Sequence, residues 1–174
     1  MARVFLSLGS NLGDRLAHLR QALQRLQALQ AVRLVSVSRV YETEPWGRTD
    51  REHRFLNLAA EIETTLTPVY LLTLLHQIEK EMGRRRPAAQ PFATYSPRPI
   101  DIDILLFEDR VVSVSDSLQI PHLMMHERRF VLAPLAEIAP DVEHPVLYRS
   151  IGEILEDLED TREVAAIELP PNWF

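Results

Sequence analysis

The sequence predicts an α+β sandwich, in which a mainly antiparallel sheet carries helices on one face. One observation is strict alternation of isoleucine and aspartate at residues 100–104, inside the apolar stretch that ends at Leu106. Another is a pair of apolar stripes at helical spacing. The third is the order of these patterns along the chain: strand, helix, strand, strand, helix, strand. That order favours a ferredoxin-like αβ sandwich, with an added hairpin and C-terminal helices.

The first predicted strand covers residues 3–8, and the turn from Gly9 to Asp14 is rich in helix-capping residues. Leucines then recur at steps of three and four residues, which predicts a helix with one face on the core: Leu16, Leu19, Leu23 and Leu26. A glycine turn between a strand and a helix invites a phosphate-loop interpretation. We reject it, because the turn lacks the Gly-Lys-Ser/Thr and the third glycine of nucleotide-binding loops.

The next two predicted strands cover residues 32–41 and 55–64, with a charged loop between them. In the second strand every other residue is apolar and would face the core: Leu56, Leu58, Ala60 and Ile62. Phe55 and Asn57 would therefore lie on the opposite face. An aromatic ring beside an amide suits a flat ligand, although a packed edge aromatic with an incidental asparagine explains the pattern equally well.

Thr67 and Pro68 begin a second predicted helix, since threonine is a good N-cap and proline fits the first helical position. An apolar stripe follows, and Gly83 is well placed to end the helix. Three arginines at 84–86 open a proline-rich loop that leads into the alternating stretch. Such a run is usually a solvated charged surface, but its position beside a carboxylate pair favours anion binding.

The alternating stretch is the centre of the functional prediction. Its isoleucines would face the core, which places Asp101 and Asp103 together on the opposite face. Carboxylates two apart on a strand, roughly 6.5–7 Å between α-carbons, can converge on one or two hard cations. With Arg98 beside them they suit phosphoryl transfer. Two solvent-facing acids on an amphipathic strand are the plainer alternative, which the pattern alone leaves open.

Beyond this strand the sequence predicts a hairpin partner around 111–114, a helical stretch that ends near Ile138 and a short helix at 150–158. His122 and His126 are four residues apart, but a proline directly before His122 argues against a zinc-binding helix. The tail at 161–174 contains one more candidate strand, to which the sequence assigns no role.

Composition limits the possible functions. The 174 residues include 19 basic and 25 acidic side chains, and a net charge of −6 argues against nucleic-acid binding by bulk electrostatics. Lys80 is the only lysine, so arginine would bind any anion. The absence of cysteine excludes disulfides, thiolate nucleophiles and cysteine-bound zinc. With no long apolar run, leader, repeat or coiled-coil seam, we expect a cytoplasmic monomer that binds no membrane.

Together these motifs resemble those of the hydroxymethyl-dihydropterin pyrophosphokinases, over about residues 3–140. The segments that carry the resemblance are 8–12, 41–45, 55–57, 83–86, 97–103, 121–122 and 128–132. It implies one pyrophosphokinase domain at 1–174, which transfers pyrophosphate from ATP to the hydroxymethyl group of 6-hydroxymethyl-7,8-dihydropterin. The implied products are AMP and the pterin diphosphate, in a step of folate biosynthesis. The implied cofactor is Mg²⁺, two ions, with ATP as co-substrate.

The resemblance also implies roles for individual residues. The implied catalytic residues are Arg84, Arg98, Asp101 and Asp103, of which the two aspartates would hold the magnesium ions. The implied pterin-binding residues, with the two phenylalanines enclosing the ring, are Thr43, Glu44, Trp46, Phe55, Asn57 and Phe130. The implied ATP-binding residues are His76, Glu79, Arg86, Ile104, Gln119, His122 and Arg128.

Two other functions are compatible with the same sequence patterns. A nucleotidyltransferase or cyclase of similar fold also uses an Asp-x-Asp pair with magnesium, but releases pyrophosphate where a pyrophosphokinase releases AMP. A ligand-sensing or RNA-binding module of ferredoxin-like topology would not be an enzyme. RNA readers need exposed aromatic residues on a basic sheet face, whereas the predicted face carries Asp101 and Asp103.

Overall fold

A six-stranded sheet organises the chain in the computed structural model, which describes residues 1–44, 54–85 and 97–174. Its strands lie in the order β10 (Val164–Ala166), β3 (Tyr41–Thr43), β4 (Phe55–Thr64), β1 (Ala2–Ser10) and β5 (Asp101–Phe107), and β2 (Val32–Val37) also pairs with β4. Each of these neighbours is antiparallel to the next. The predicted mixture of helices with an antiparallel sheet is therefore confirmed.

Helices pack on both faces of this sheet. α1 (Arg15–Gln27) and α2 (Pro68–Glu81) bury their leucine stripes in the main core, together with the isoleucines of β5. α3 (Arg129–Ile138) and α4 (Ile151–Glu156) cover part of the second face. The sequence predicted helices on one face; the second cluster forms because the second face also carries apolar residues, such as Phe5 and Leu105.

Several element boundaries follow directly from local chemistry. The Asp14 side chain accepts a hydrogen bond from the amide of Ala17 at 3.0 Å, which begins α1. Thr67 caps α2, whose first residue is proline, and Gly83 follows the helix with φ +90°. These boundaries of α2, and those of β4, match the predictions from the sequence.

The predicted strand at 32–41 is instead two strands, β2 and β3. Between them the chain leaves the β2–β4 ladder, and the Ser38 hydroxyl donates to the Arg39 carbonyl at 2.7 Å while accepting from the amide of Ala59 at 2.9 Å. A serine side chain here replaces a ladder hydrogen bond, so the strand breaks without leaving that amide unpaired.

The C-terminal third contains short elements around the sheet. A hairpin joins β6 (Val112–Ser115) to β7 (Leu118–Ile120), and a second one joins β8 (Glu143–His144) to β9 (Arg149–Ser150). The predicted helical stretch after Pro121 is a 3₁₀ turn, Met125–Glu127, followed by α3.

The candidate tail strand is confirmed as β10, which pairs with β3 at the edge of the main sheet. Beyond it, Ile167, Leu169 and Trp173 pack against the main core. Within the three described ranges, no helix is both long and apolar enough to cross a membrane.

Candidate active site

Three neighbouring strands bring polar side chains to the second face of the sheet. On β1, Ser7 lies opposite Asp103 and Gly9 lies opposite Asp101 of β5, while Gly9 also lies opposite Asn57 of β4. The isoleucines that alternate with the two aspartates are buried in the main core. The predicted orientation of this strand is therefore confirmed.

The two carboxylates lie between two pockets that share them. The first pocket has a volume of about 380 Å³ and is lined by Ser7, Gly9, Thr43, Glu44, Phe55, Asn57, Arg98, Asp101, Asp103, Arg128 and Phe130. The second has a volume of about 220 Å³, and its lining includes Leu72, His76, Arg84, Ile104, Asp116, Ser117, Gln119, His122 and Leu123, together with Arg98, Asp101 and Asp103. A group transferred between molecules in these pockets would pass over Arg98 and the aspartates.

The first pocket collects every predicted pterin-binding residue that the structure describes. Asn57 is only 3% exposed, and its Nδ2 donates to Oγ1 of Thr43 at 2.6 Å. A Cβ atom at Gly9 would stand 2.6 Å from Oδ1 of Asn57, so glycine is the residue that leaves room for this amide. The amide is thus held between two strands in one orientation, which suits recognition of a polar heterocycle edge.

Two aromatic rings line the same pocket from different elements. Phe55 begins β4, and Phe130 lies in the first turn of α3. The Arg128 guanidinium lies over the Phe130 ring, 5.8 Å from its centroid. A flat, electron-poor or polar-edged ring would find apolar surface on the rings and hydrogen bonds from Asn57 in one cavity.

The arginines are fixed by the carboxylates and by the loop after β1. Nη1 of Arg84 donates to carboxylate oxygens of both Glu79 and Asp101. Nη1 of Arg98 donates to the other oxygen of Asp101 at 2.9 Å. The side-chain oxygen Oδ1 of Asn11 accepts from the backbone amide of Arg98 at 2.8 Å, and the backbone amide of Asn11 donates to the Arg98 carbonyl at 3.2 Å. Both guanidiniums are therefore held at the Asp101 carboxylate.

Two of the residues predicted to bind ATP do not line the second pocket. Glu79 is 1% exposed and its Oε1 also accepts from the amide of Ile102 at 2.8 Å, so it holds Arg84 and β5 in place without lining either pocket. Arg128 lines the first pocket. By contrast, four of the residues predicted to bind ATP line the second pocket: His76, Ile104, Gln119 and His122. Trp46 and Arg86 lie outside the described residues.

Asp103 has an unusual protonation equilibrium. Its carboxylate lies on the floor of a concave site where many protein atoms surround it, although 43% of the side chain is accessible to solvent. Partial loss of hydration in this concave site, together with the negative charges of Asp101 and Glu79, raises its pKa to about 7. His122, whose Nε2 is 4.0 Å from Oδ2 of Asp103, has its pKa lowered by burial and by Arg128. The neutral imidazole therefore predominates at neutral pH.

The donor set fits a hard cation that is bound together with a phosphate ligand. Among the residues that the structure describes, no group of three or more His, Cys, Asp or Glu side chains is arranged to hold a metal ion. Two carboxylates on one strand face are present, and magnesium commonly takes one or two carboxylates with the rest of its shell from water and substrate phosphates.

Sequence reasoning assigned no role to several lining residues. Ser7 and Gly9 form the floor of the first pocket, Asn11 orients Arg98, and Asp116 and Ser117 line the second pocket. The available signal in the sequence was that a predicted strand ends in small and helix-capping residues, from Ser7 to Asn11. Its position opposite Asn57 and the aspartates depends on strand register, which the sequence alone does not give.

The fold and the two pockets define a two-substrate enzyme that handles phosphate groups. The family model described as 7,8-dihydro-6-hydroxymethylpterin-pyrophosphokinase (HPPK) matches residues 5–140 of this chain. The chain belongs to this family.

Individual relatives agree with the family match. A 2-amino-4-hydroxy-6-hydroxymethyldihydropteridine pyrophosphokinase of Bacillus subtilis is 48% identical over 139 residues, covering 80% of this chain and 79% of the relative. One from Methylorubrum extorquens is 46% identical over 142 residues, covering 82% and 85%. Among solved structures, a Plasmodium falciparum HPPK-DHPS chain is similar in fold, with a TM-score of 0.68 and 19% identity. That match covers 89% of this chain but 44% of the Plasmodium chain.

Proposed function

We propose that this protein transfers pyrophosphate from ATP to the hydroxymethyl group of 6-hydroxymethyl-7,8-dihydropterin, giving AMP and the pterin diphosphate in folate biosynthesis. Family membership supports this reaction. The observation that carries it in the structure is the pair of pockets that share Arg98, Asp101 and Asp103. The first pocket collects the described residues predicted for the pterin, and the second collects four of those predicted for ATP.

The first pocket would bind the pterin. Asn57, oriented by Thr43, would hydrogen-bond the polar edge of the heterocycle, while Phe55 and Phe130 would contact its faces. Glu44 lines the same pocket and would add a carboxylate at its rim. In this pose the hydroxymethyl group would extend towards the shared aspartates.

The second pocket would bind ATP, with His76, Ile104, Gln119 and His122 in its wall. The substrate hydroxyl oxygen would bond to the β-phosphorus while the bond from that phosphorus to the α,β-bridging oxygen breaks, so AMP leaves. Arg84 and Arg98 would donate hydrogen bonds to the phosphate oxygens as charge shifts to the leaving group. Catalysis would consist of positioning and charge stabilisation, with no covalent intermediate.

Asp101 and Asp103 would hold two magnesium ions, which when bound would neutralise phosphate charge. Both carboxylates already lie on the same strand face, between the two pockets. On ATP binding, Asp101 would exchange part of its contact with Arg84 and Arg98 for the cation, and the released guanidiniums would turn to phosphate oxygens.

The finer structural assignments belong to the same proposal. We assign the fold to the ferredoxin-like sandwiches, supported by the sheet order in which β1 lies between β4 and β5. We also propose that residues 1–174 act as one domain, supported by the tail that packs on the main core. A cytoplasmic monomer is also proposed, on the sequence grounds that the chain has no long apolar run, repeat or coiled-coil seam.

The deciding experiment is incubation of the purified protein with ATP, magnesium and 6-hydroxymethyl-7,8-dihydropterin, followed by chromatography of the nucleotides. We expect AMP that depends on the pterin and disappears when EDTA is added. Formation of ADP would indicate an ordinary kinase, and release of pyrophosphate would indicate a nucleotidyltransferase or cyclase. Ligand binding with no turnover would indicate a sensor.

A further inference from the structure

Four consecutive residues of the tail, 160–163, connect the two walls of the first pocket. The match to the family model ends at residue 140, so it assigns them no role. We infer that Asp160 and Glu163 are positioning residues that hold two walls of the first pocket, one with Phe130 and one with Phe55, at a fixed separation. They would thereby set the width of this pocket. This inference rests on the proposed function, since it concerns the pocket proposed for the pterin.

Asp160 fastens the tail to the wall that carries Arg128 and Phe130. Its side chain is 5% exposed, and Oδ2 accepts from the amide of Arg129 at 3.0 Å, at the first residue of α3. The Arg129 side chain donates through Nε to the Asp160 carbonyl at 2.8 Å. Arg129 lies directly between Arg128 and Phe130, both of which line the pocket.

The remaining oxygen of Asp160 orders the tail itself. Oδ1 accepts from the amide of Arg162 at 3.1 Å and from its Nε at 2.7 Å. Burial alone would raise the pKa of Asp160, but these hydrogen bonds and the amide of Arg129 more than offset it and hold the pKa below its usual range. The anchor is therefore charged at neutral pH.

Glu163 fastens the other end to the wall that carries Thr43, Glu44 and Phe55. Its carboxylate accepts from Nη2 of Arg54 at 2.9 Å, and its carbonyl accepts from the amide of Glu44 at 3.4 Å. Arg54 precedes Phe55, and its own carbonyl accepts from Nη1 of Arg15 at 2.8 Å.

The next residue of the tail continues the same contact, because Val164 pairs with Thr43 as β10 begins. Thr43 is the residue whose hydroxyl accepts from Asn57. The tail therefore supports the strand that orients the proposed pterin ligand, as well as the residue before Phe55.

The connection between the two walls is short, so it can limit how far they separate. Three residue steps separate Asp160 from Glu163, and three steps of extended chain span at most about 11 Å. A tether of this length, fixed at both ends by ionic hydrogen bonds, limits how far the walls can separate. A first pocket held open to the thickness of one ring would lower the entropy lost when the pterin binds.

The test uses the full-length protein with Asp160→Asn, Glu163→Gln and the double variant. Dissociation constants are measured separately for the dihydropterin, by fluorescence in the presence of a non-hydrolysable ATP analogue, and for the analogue alone. We expect Asp160→Asn to weaken pterin binding about tenfold and Glu163→Gln about threefold, because the first pair is buried and the second is exposed. Affinity for the ATP analogue should change less than twofold.

The double variant tests the tether directly. A tether released at one end no longer constrains the walls, so the double variant should bind the pterin about as weakly as Asp160→Asn alone. Additive losses, as expected for two unrelated local effects, would overturn the inference. Unchanged pterin affinity in Asp160→Asn would overturn it as well.

Ser150→Ala is the matched control for lost stability. Ser150 caps α4 in the same C-terminal region, and Asp160 likewise accepts from an amide at the start of α3, but Ser150 lines neither pocket. We expect it to lower the melting temperature without changing pterin affinity. Equal loss of pterin affinity in Ser150→Ala would overturn the inference. Failure of the wild type to form AMP would reject the proposed function, whereas an active wild type with normal variants would reject only the tether.

Discussion

Glu79 and Asp101 share one hydrogen-bond donor, Nη1 of Arg84. Glu79 is buried on α2 and also accepts from the amide of Ile102, so a single carboxylate supports both the arginine and the strand that carries the aspartates. The face of β5 that carries the two aspartates is thus held in place by Glu79, which lines neither of the two pockets that share Asp101 and Asp103.

Removal of Glu79 should therefore destabilise the protein strongly. Glu79→Ala leaves the Ile102 amide without its acceptor and Arg84 without one of its two carboxylates, at a cost of about 3 kcal/mol in the free energy of unfolding. Urea denaturation measures it. Glu81→Gln is the control, since Glu81 lies on the same helix and pairs with Arg25 at the surface, where the loss should stay below about 1 kcal/mol. Similar losses in both variants would contradict this role of Glu79.

Asp101 and Asp103 of β5 should each be essential for turnover. Asp101→Asn or Asp103→Asn keeps the shape of the side chain but removes a charge on which the proposed metal site depends, so kcat should fall about 10³-fold or more. Pterin-dependent AMP formation measures it, with circular dichroism to verify the fold. Asp109→Asn, in the exposed turn after β5, is the control and should retain full activity. Near-normal turnover in Asp103→Asn would refute the metal assignment.

Asp103 should also make stability depend on pH in the absence of ligands. Its folded-state pKa, about 7, lies above the ordinary value of 3.8, so the folded state binds more protons between these values and stability falls as pH rises through them. Asp103→Asn should therefore raise the melting temperature more at pH 8, which lies above both values, than at pH 5, near the lower end of this range. Thermal unfolding in EDTA measures this. A shift of equal size at both pH values would contradict the raised pKa.

Much of this site followed from patterns that the sequence carries locally. Alternation fixed which face of β5 bears Asp101 and Asp103, and the same alternation placed Phe55 and Asn57 on that face before any strand pairing was known. Capping chemistry fixed the start of α2 at Thr67 and Pro68. These features depend on neighbouring residues, which the sequence shows directly.

Other features depend on contacts between distant segments. The break between β2 and β3 depends on Ser38 and Ala59, which are far apart in the sequence. The role of Glu79 beneath Arg84 depends on how α2 packs against β5, and the tail contact of Asp160 with Arg129 depends on where α3 lies. No local periodicity reports such distances, so the sequence alone indicates neither the contact of Glu79 with Arg84 nor that of Asp160 with Arg129.

Gly9 should be required for pterin binding because of its position opposite Asn57. In Gly9→Ala the new methyl group would stand 2.6 Å from Oδ1 of Asn57, so the amide must move away from its hydrogen bond with Thr43. We expect pterin affinity to fall about tenfold or more, since a misplaced polar group in a buried site loses its partner.

Affinity for an ATP analogue should remain within twofold of wild type in Gly9→Ala, because the second pocket does not include Asn57. Isothermal titration of each ligand measures both values. Gly152→Ala is the control: its new methyl group would meet the Pro140 carbonyl at 3.3 Å, far from either pocket, and both affinities should stay unchanged. If Gly9→Ala binds the pterin normally, Asn57 is not the residue that reads its edge. The specificity of the first pocket would then have to come from other residues of its lining, such as Glu44.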